Sequence, residues 1–161
     1  MTAKDKKQEA SEQKGEVAAE KFWDAVEPKE LATKLIEAGN FNFPTNTPIL
    51  YVFVDKAKKF WGKCQLVSGV HQFASGYQYM IQFNNEVWQT LTAVQREALV
   101  FHELLHVFYD SERDKYSIAE HDVEEFVRVV HKYGLWREDV KKFMDEGLRT
   151  ITLGDSENKE D

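Results

Sequence analysis

His102-Glu103-Leu104-Leu105-His106 sets two imidazoles four residues apart, with a carboxylate directly after the first. On a helix a four-residue step turns the chain about once, so both rings project from one face and can hold one metal ion. Glu103 then points beside the metal, where a carboxylate can take a proton from water. Zinc is the expected ion, because it accepts imidazole ligands and lowers the pKa of its water to about 7. Chance would give this spacing in roughly one or two sequences in a hundred of this length and composition, so the surrounding helix matters to the reading.

A catalytic zinc takes three protein ligands and leaves the fourth position to water. Cys64 is the sole cysteine, which excludes an internal disulfide and a Cys-based zinc ribbon, so the third ligand must be a His or a carboxylate. The candidates are His121, Asp122, Glu124 and Glu125. Read as a helix at about 100° per residue, this stretch centres its apolar face between Ile118, Phe126, Val130 and Tyr133, with Glu124 on the opposite side. His121, Asp122 and Glu125 all stay open on geometry.

The elements that must position these groups follow from periodicity. Thr92 with Gln95 forms a capping-box pattern opening TAVQREALVFHELLHVFYD, and apolar spacing carries that helix to Tyr109. A second box, Ser117 with Glu120, predicts a helix over SIAEHDVEEFVRVVHKYG that stops at Gly134. Upstream, PILYVFVD, GKCQLVSG and GYQYMIQF are rich in β-branched and aromatic residues and read as a small antiparallel sheet. Glu16 to Ala38 has helical spacing interrupted at Pro28, which fits two short helices or a kinked one. LWREDVKKFMDEGL is expected to close the core as a last helix. Residues 1–15 and 153–161 carry too few large apolar side chains to offset their ordering entropy and are expected to be disordered tails around one domain, 16–152.

HELLHVFYDSERDKYSIAEHDVEEF resembles the SprT-like metallopeptidase core, and the short proteins grouped as phage metallopeptidases look closer still, with the same HELLH and HDVEEF elements. The likeness covers residues 49–134 and implies a zincin-like fold, peptide hydrolysis, and His121 as the third zinc ligand beside His102 and His106, with Phe126 near the family's aromatic. A charged, polar N-terminus and the lack of a long apolar run predict a cytosolic protein, and the resemblance points to a bacterial or phage-infected cell. Two features depart from the SprT-like pattern: Asp122 stands where a Gly usually follows the third His, and a Cys-rich ribbon and basic tail are missing. The DNA-linked role of some SprT-like enzymes is therefore not carried over.

Other polar and aromatic residues have plainer expectations. Asp122 could orient a ligand imidazole or cap its helix. Tyr109 and Tyr116 could donate to an oxyanion, but core packing is the expected role. His71, in a Gly/Ser-bounded loop, and His131 are expected at the surface. Trp23, Phe60, Trp61, Trp88 and Trp136 are expected in the core, Cys64 as a small packed side chain, and Lys56, Lys58 and Lys59 in a solvated turn.

The fold predicted is α+β: an antiparallel sheet on the HExxH helix, with N- and C-terminal helices and His121 supplied by the helix that follows. The activity predicted is zinc-dependent hydrolysis of peptide bonds by a likewise predicted monomer, a substrate strand adding to an edge of GYQYMIQF. The net charge of −7 argues against autonomous nucleic-acid binding, and no apolar run is long enough to span a membrane. The rival is a catalytically silent, zinc-bound interaction module, although a structural site would usually fill all four positions and need no base. A zinc hydrolase of non-peptide amides would use the same ligands.

Overall fold

The computed structural model describes residues 20–55, 59–121, 127–138 and 141. Both expected tails, most of the expected closing helix, and Asp122, Glu124, Glu125 and Phe126 lie outside the described residues. The described elements, in chain order, are β1 (Phe22–Asp24), α1 (Val26–Ala38), β2 (Ile49–Val54), β3 (Gly62–Leu66), α2 (Gly69–Ser75), β4 (Tyr79–Asn84), α3 (Asn85–Thr90), α4 (Ala93–Leu105), β5 (Val107–Asp110), β6 (Lys115–Ile118) and α5 (Val127–Tyr133). The architecture is α+β.

A four-stranded sheet runs in the order β1-β2-β4-β3, and β5 pairs with β6 in a separate hairpin. The sheet is mixed, which corrects the antiparallel expectation: β2 lies parallel to β4, while β1 and β3 run antiparallel to their neighbours. Parallel pairing is possible because β3 and α2 intervene and return the chain to the same end of the sheet. Tyr79, Ile81 and Phe83 of β4 alternate onto one face, in register with Ile49, Tyr51 and Phe53 of β2, and all six join the core cluster. Burying each such side chain contributes roughly 1.5–3 kcal/mol, so this face fixes the register.

Against it lies α4. The predicted capping box is present: Thr92 Oγ1 accepts from Gln95 N at 3.2 Å and Gln95 Oε1 accepts from Thr92 N at 2.9 Å. Ala98 to Leu104 are all buried. The helix ends at Leu105, four residues before the expected end, because Val107, Phe108 and Tyr109 pair with β6 instead. Ser117 is likewise a strand residue, so it opens no helix; the aromatic ladder of Tyr79, Tyr109 and Tyr116 outweighs the local cap signal.

The N-terminal segment also differs from expectation. Phe22–Asp24 is an edge strand, and a single helix follows with Pro28 in its first turn, where a missing N–H costs little. GVHQFAS, read as a loop, forms α2, while its His71 is exposed as expected. Trp88 and Trp136 are buried, but Trp23 and Trp61 are partly exposed. The helix α5 stops before Gly134, whose φ of +69° suits glycine.

Candidate active site

The helix that carries the first two histidines keeps its geometry through His106. His106 is the C-cap of α4 with αR angles, and its N–H is bound to the Glu103 carbonyl at 3.2 Å, so the four-residue step from His102 still spans one turn. The rings of His102 and His106 stand 5.2 Å apart, centre to centre. His102 is buried, while His106 is half-buried.

The third histidine arrives by a hairpin. The β5–β6 register pairs Val107 with Ile118, and the next step outward joins Ala119 N to the His106 carbonyl at 2.8 Å. His121, two residues further, therefore returns to His106 although fifteen positions separate the two along the chain. Its Nε2 lies 2.9 Å from His102 Nε2 and 3.1 Å from His106 Nε2. This corrects the expectation that a following helix supplies His121: it stands in irregular chain just after β6. The hairpin is anchored by Tyr79, whose hydroxyl lies 2.7 Å from the Ser117 carbonyl and 3.1 Å from that of Phe108.

These three side chains suit a metal. Among the described residues they form the group whose ligand atoms converge, all within 4.8 Å of one another. The tautomer of His106 is set by its other nitrogen: Nδ1 lies 2.6 Å from the Ala119 carbonyl, an acceptor, so Nδ1 carries the proton and Nε2 offers a lone pair. Nitrogens packed 2.9 and 3.1 Å apart resemble the edge of a tetrahedron around zinc, roughly 3.3 Å for bonds of 2.0–2.1 Å.

Glu103 is only 3% exposed and leans onto the start of β3. A Cβ added to Gly62 would meet its Oε1 at 2.6 Å and its Cγ and Cδ at 2.9 Å, so the carboxylate occupies the space a side chain would take. Sequence reasoning passed over Gly62. A glycine at a strand start is the available signal, since it permits such close approach. Burial, then the nearby Glu103 charge, push the Cys64 thiol above its usual range, which disfavours its thiolate form.

His102, Glu103, His106, His121, Trp61 and Arg137 line one cleft of about 410 Å³. Tyr109 and Tyr116 are not among its lining residues. The Tyr109 hydroxyl donates to Asp114 Oδ1 at 2.5 Å, and that of Tyr116 lies 3.3 Å from Thr47 Oγ1, so both serve the hairpin. Trp61, Trp136 and Arg137 at the cleft were not expected there.

The sequence model of the family described as Putative phage metallopeptidase matches residues 20–146. The chain belongs to that family. The match takes in the whole four-stranded sheet, α4 and the hairpin that brings His121 to it, more than the 49–134 expected from the motif region. No curated protein and no solved structure matches the chain. Membership of the phage metallopeptidase family agrees with a protein or peptide substrate and a metal ion. No helix among the described residues is long and apolar enough to cross a membrane.

Proposed function

We propose that the chain is a zinc-dependent peptidase in which His102, His106 and His121 hold the metal and Glu103 is the general base. The observation that carries this reading is the convergence of the three imidazole nitrogens in an open cleft with the Glu103 carboxylate beside them. Bound zinc would supply Lewis acidity toward a carbonyl and a low pKa for water. Glu103 takes the proton of the attacking water and passes it to the departing amine, and its burial makes that transfer sensitive to small displacements. The hydrogen bond from His106 Nδ1 to the Ala119 carbonyl fixes the ring that presents Nε2.

The substrate strand is assigned to β3. The expected edge, GYQYMIQF, lies between β2 and β3 and has no side left to pair. Asn84 N binds the Trp61 carbonyl and Val67 N binds that of Gln78, so by alternation Gly62, Cys64 and Leu66 turn their peptide groups away from β4. An extended peptide pairing there lies next to Glu103, held mainly by backbone hydrogen bonds.

The test is zinc content of the purified chain together with casein hydrolysis with and without a chelator. About one zinc per chain and chelator-sensitive, zinc-restored hydrolysis are expected. Glu103→Gln should keep the metal and lose turnover on the order of a hundredfold or more. Near-wild-type hydrolysis by the loaded variant removes Glu103 from the mechanism, and zinc-loaded wild type without peptide turnover favours a silent binding module.

A further inference from the structure

At one end of the cleft, the chain entering β3 and the chain leaving α5 meet in an aromatic and cationic cluster. Arg137 lies over the Trp61 ring at 4.8 Å and near the Trp136 ring at 5.8 Å, and the two indoles pack edge to face at 6.0 Å. Trp136 is buried, which anchors the cluster, and Arg137 is half-buried. Trp61 immediately precedes Gly62, so the cluster adjoins the Glu103 carboxylate along the edge strand. Lys59 lines the same cleft, and among its described lining residues Glu103 is the sole carboxylate.

We infer that Arg137, seated on Trp61 and Trp136, is a specificity-determining residue that binds a carboxylate of the peptide substrate. The inference rests on the peptidase reading above and names the substrate class. Stacking on indole engages the faces of a guanidinium, and its in-plane fork of N–H donors is the part that matches a carboxylate bidentately. Two rings restrain the side chain beforehand, which reduces the ordering cost of binding. The described lining residues carry more positive than negative side chains, Lys59, Lys63 and Arg137 against Glu103, although the whole chain carries −7. A peptide strand paired with Gly62 and continued past the strand start runs into this cluster. The carboxylate could be an acidic side chain or the free C-terminus, and both present the same group.

Fluorescein-labelled decapeptide mixtures with Glu or Gln fixed at one position, each made with acid and amide C-termini, separate the sources. Two readouts are taken: kcat/KM on the zinc-loaded wild type, and peptide affinity by anisotropy on zinc-loaded Glu103→Gln. A preference of about tenfold for Glu over Gln, or for acid over amide termini, is expected in both readouts. Arg137→Ala should collapse that ratio toward one, Arg137→Lys should keep part of it, and Arg113→Ala, which removes a remote charge, should leave it intact.

Unchanged ratios in a folded Arg137→Ala overturn the inference while leaving the peptidase reading standing. An equal loss on Glu and Gln peptides also overturns it, since Arg137 would then act on the reacting carbonyl. Arg137-dependent capture of a DNA oligonucleotide in preference to every peptide overturns it in favour of phosphate. Selective, Arg137-dependent peptide binding without turnover upholds the subsite and sinks the peptidase reading instead.

Discussion

Position decides what each site residue can do. Glu103 can serve as a base only if its carboxylate has room at the cleft, and the missing side chain of Gly62 leaves that room: no positive φ requires a glycine there, only the approach of Oε1 to 2.6 Å from where a Cβ would stand. Gly62→Ala should therefore fold and keep its metal but lose roughly tenfold to a hundredfold in kcat, because small misplacements of a reacting group are that costly. Zinc analysis beside steady-state kinetics checks it. Wild-type kcat in the loaded variant would show that the carboxylate does not need that room. His102, Glu103 and His106 were legible because their spacing is local and helical. Gly62, Trp61, Trp136 and Arg137 were not, because the contacts joining them are made by segments far apart in sequence.

Elements follow the same division between local and distant causes. The start of α4 was readable from Thr92 and Gln95, since a capping box closes within one turn. Its end was not: the turn into β5 depends on the partner β6 and on the Tyr79 hydroxyl, neither visible from local spacing. The parallel pairing of β2 with β4 and the hairpin delivery of His121 were missed for that reason, and both alter how the cleft is built. The α4 start is further tied to α1 and α3: Arg96 Nη1 donates to Glu27 Oε1 at 2.9 Å and Trp88 Nε1 donates to Glu27 Oε2 at 3.1 Å. Burial opposes ionisation of Glu27, but the Trp88 and Arg96 hydrogen bonds and the Arg96 charge outweigh it, so its carboxyl titrates below its ordinary value of 4.5. A depressed folded pKa adds stability that is fully present above the unfolded pKa and lost as pH falls through the folded one. Glu27→Gln should thus cost about 0.5–1 kcal/mol at neutral pH, a small figure because the pair is half exposed. The difference from wild type should shrink as denaturation is repeated at acidic pH below that value. A gap that widens on acidification would contradict the assignment.

For the whole molecule, two fields of force compete: a net charge of −7 that repels polyanions and a cleft end that carries Lys59 and Arg137. Over the molecule as a whole the net charge wins, because the 28 acidic residues outnumber the 21 basic ones and the two cations at the cleft end act only within about 10 Å at ordinary ionic strength. Bare DNA should therefore show no submicromolar, salt-sensitive shift in a gel titration, and such a shift would contradict this charge argument. Metal binding should also act on the molecule as a unit. Its proposed ligands come from α4, its C-cap and chain carried by the β5–β6 hairpin, so an ion held by all three adds a cross-link to the two hydrogen bonds that already join His106 to Ala119. A ligand bound only by the folded state stabilises it by about 4 kcal/mol at a thousandfold excess over Kd, which is roughly 10 °C in Tm for a chain of this size. Calorimetry in zinc buffer and in chelator should show that difference for the wild type. His121→Ala should lose most of the zinc-dependent shift while its chelated Tm stays near the chelated wild type, since His121 is exposed and contributes little packing. Glu125→Gln, the carboxylate alternative left open by sequence geometry, should keep the shift. A full shift in His121→Ala with its loss in Glu125→Gln would replace the three-histidine assignment by two histidines and a glutamate.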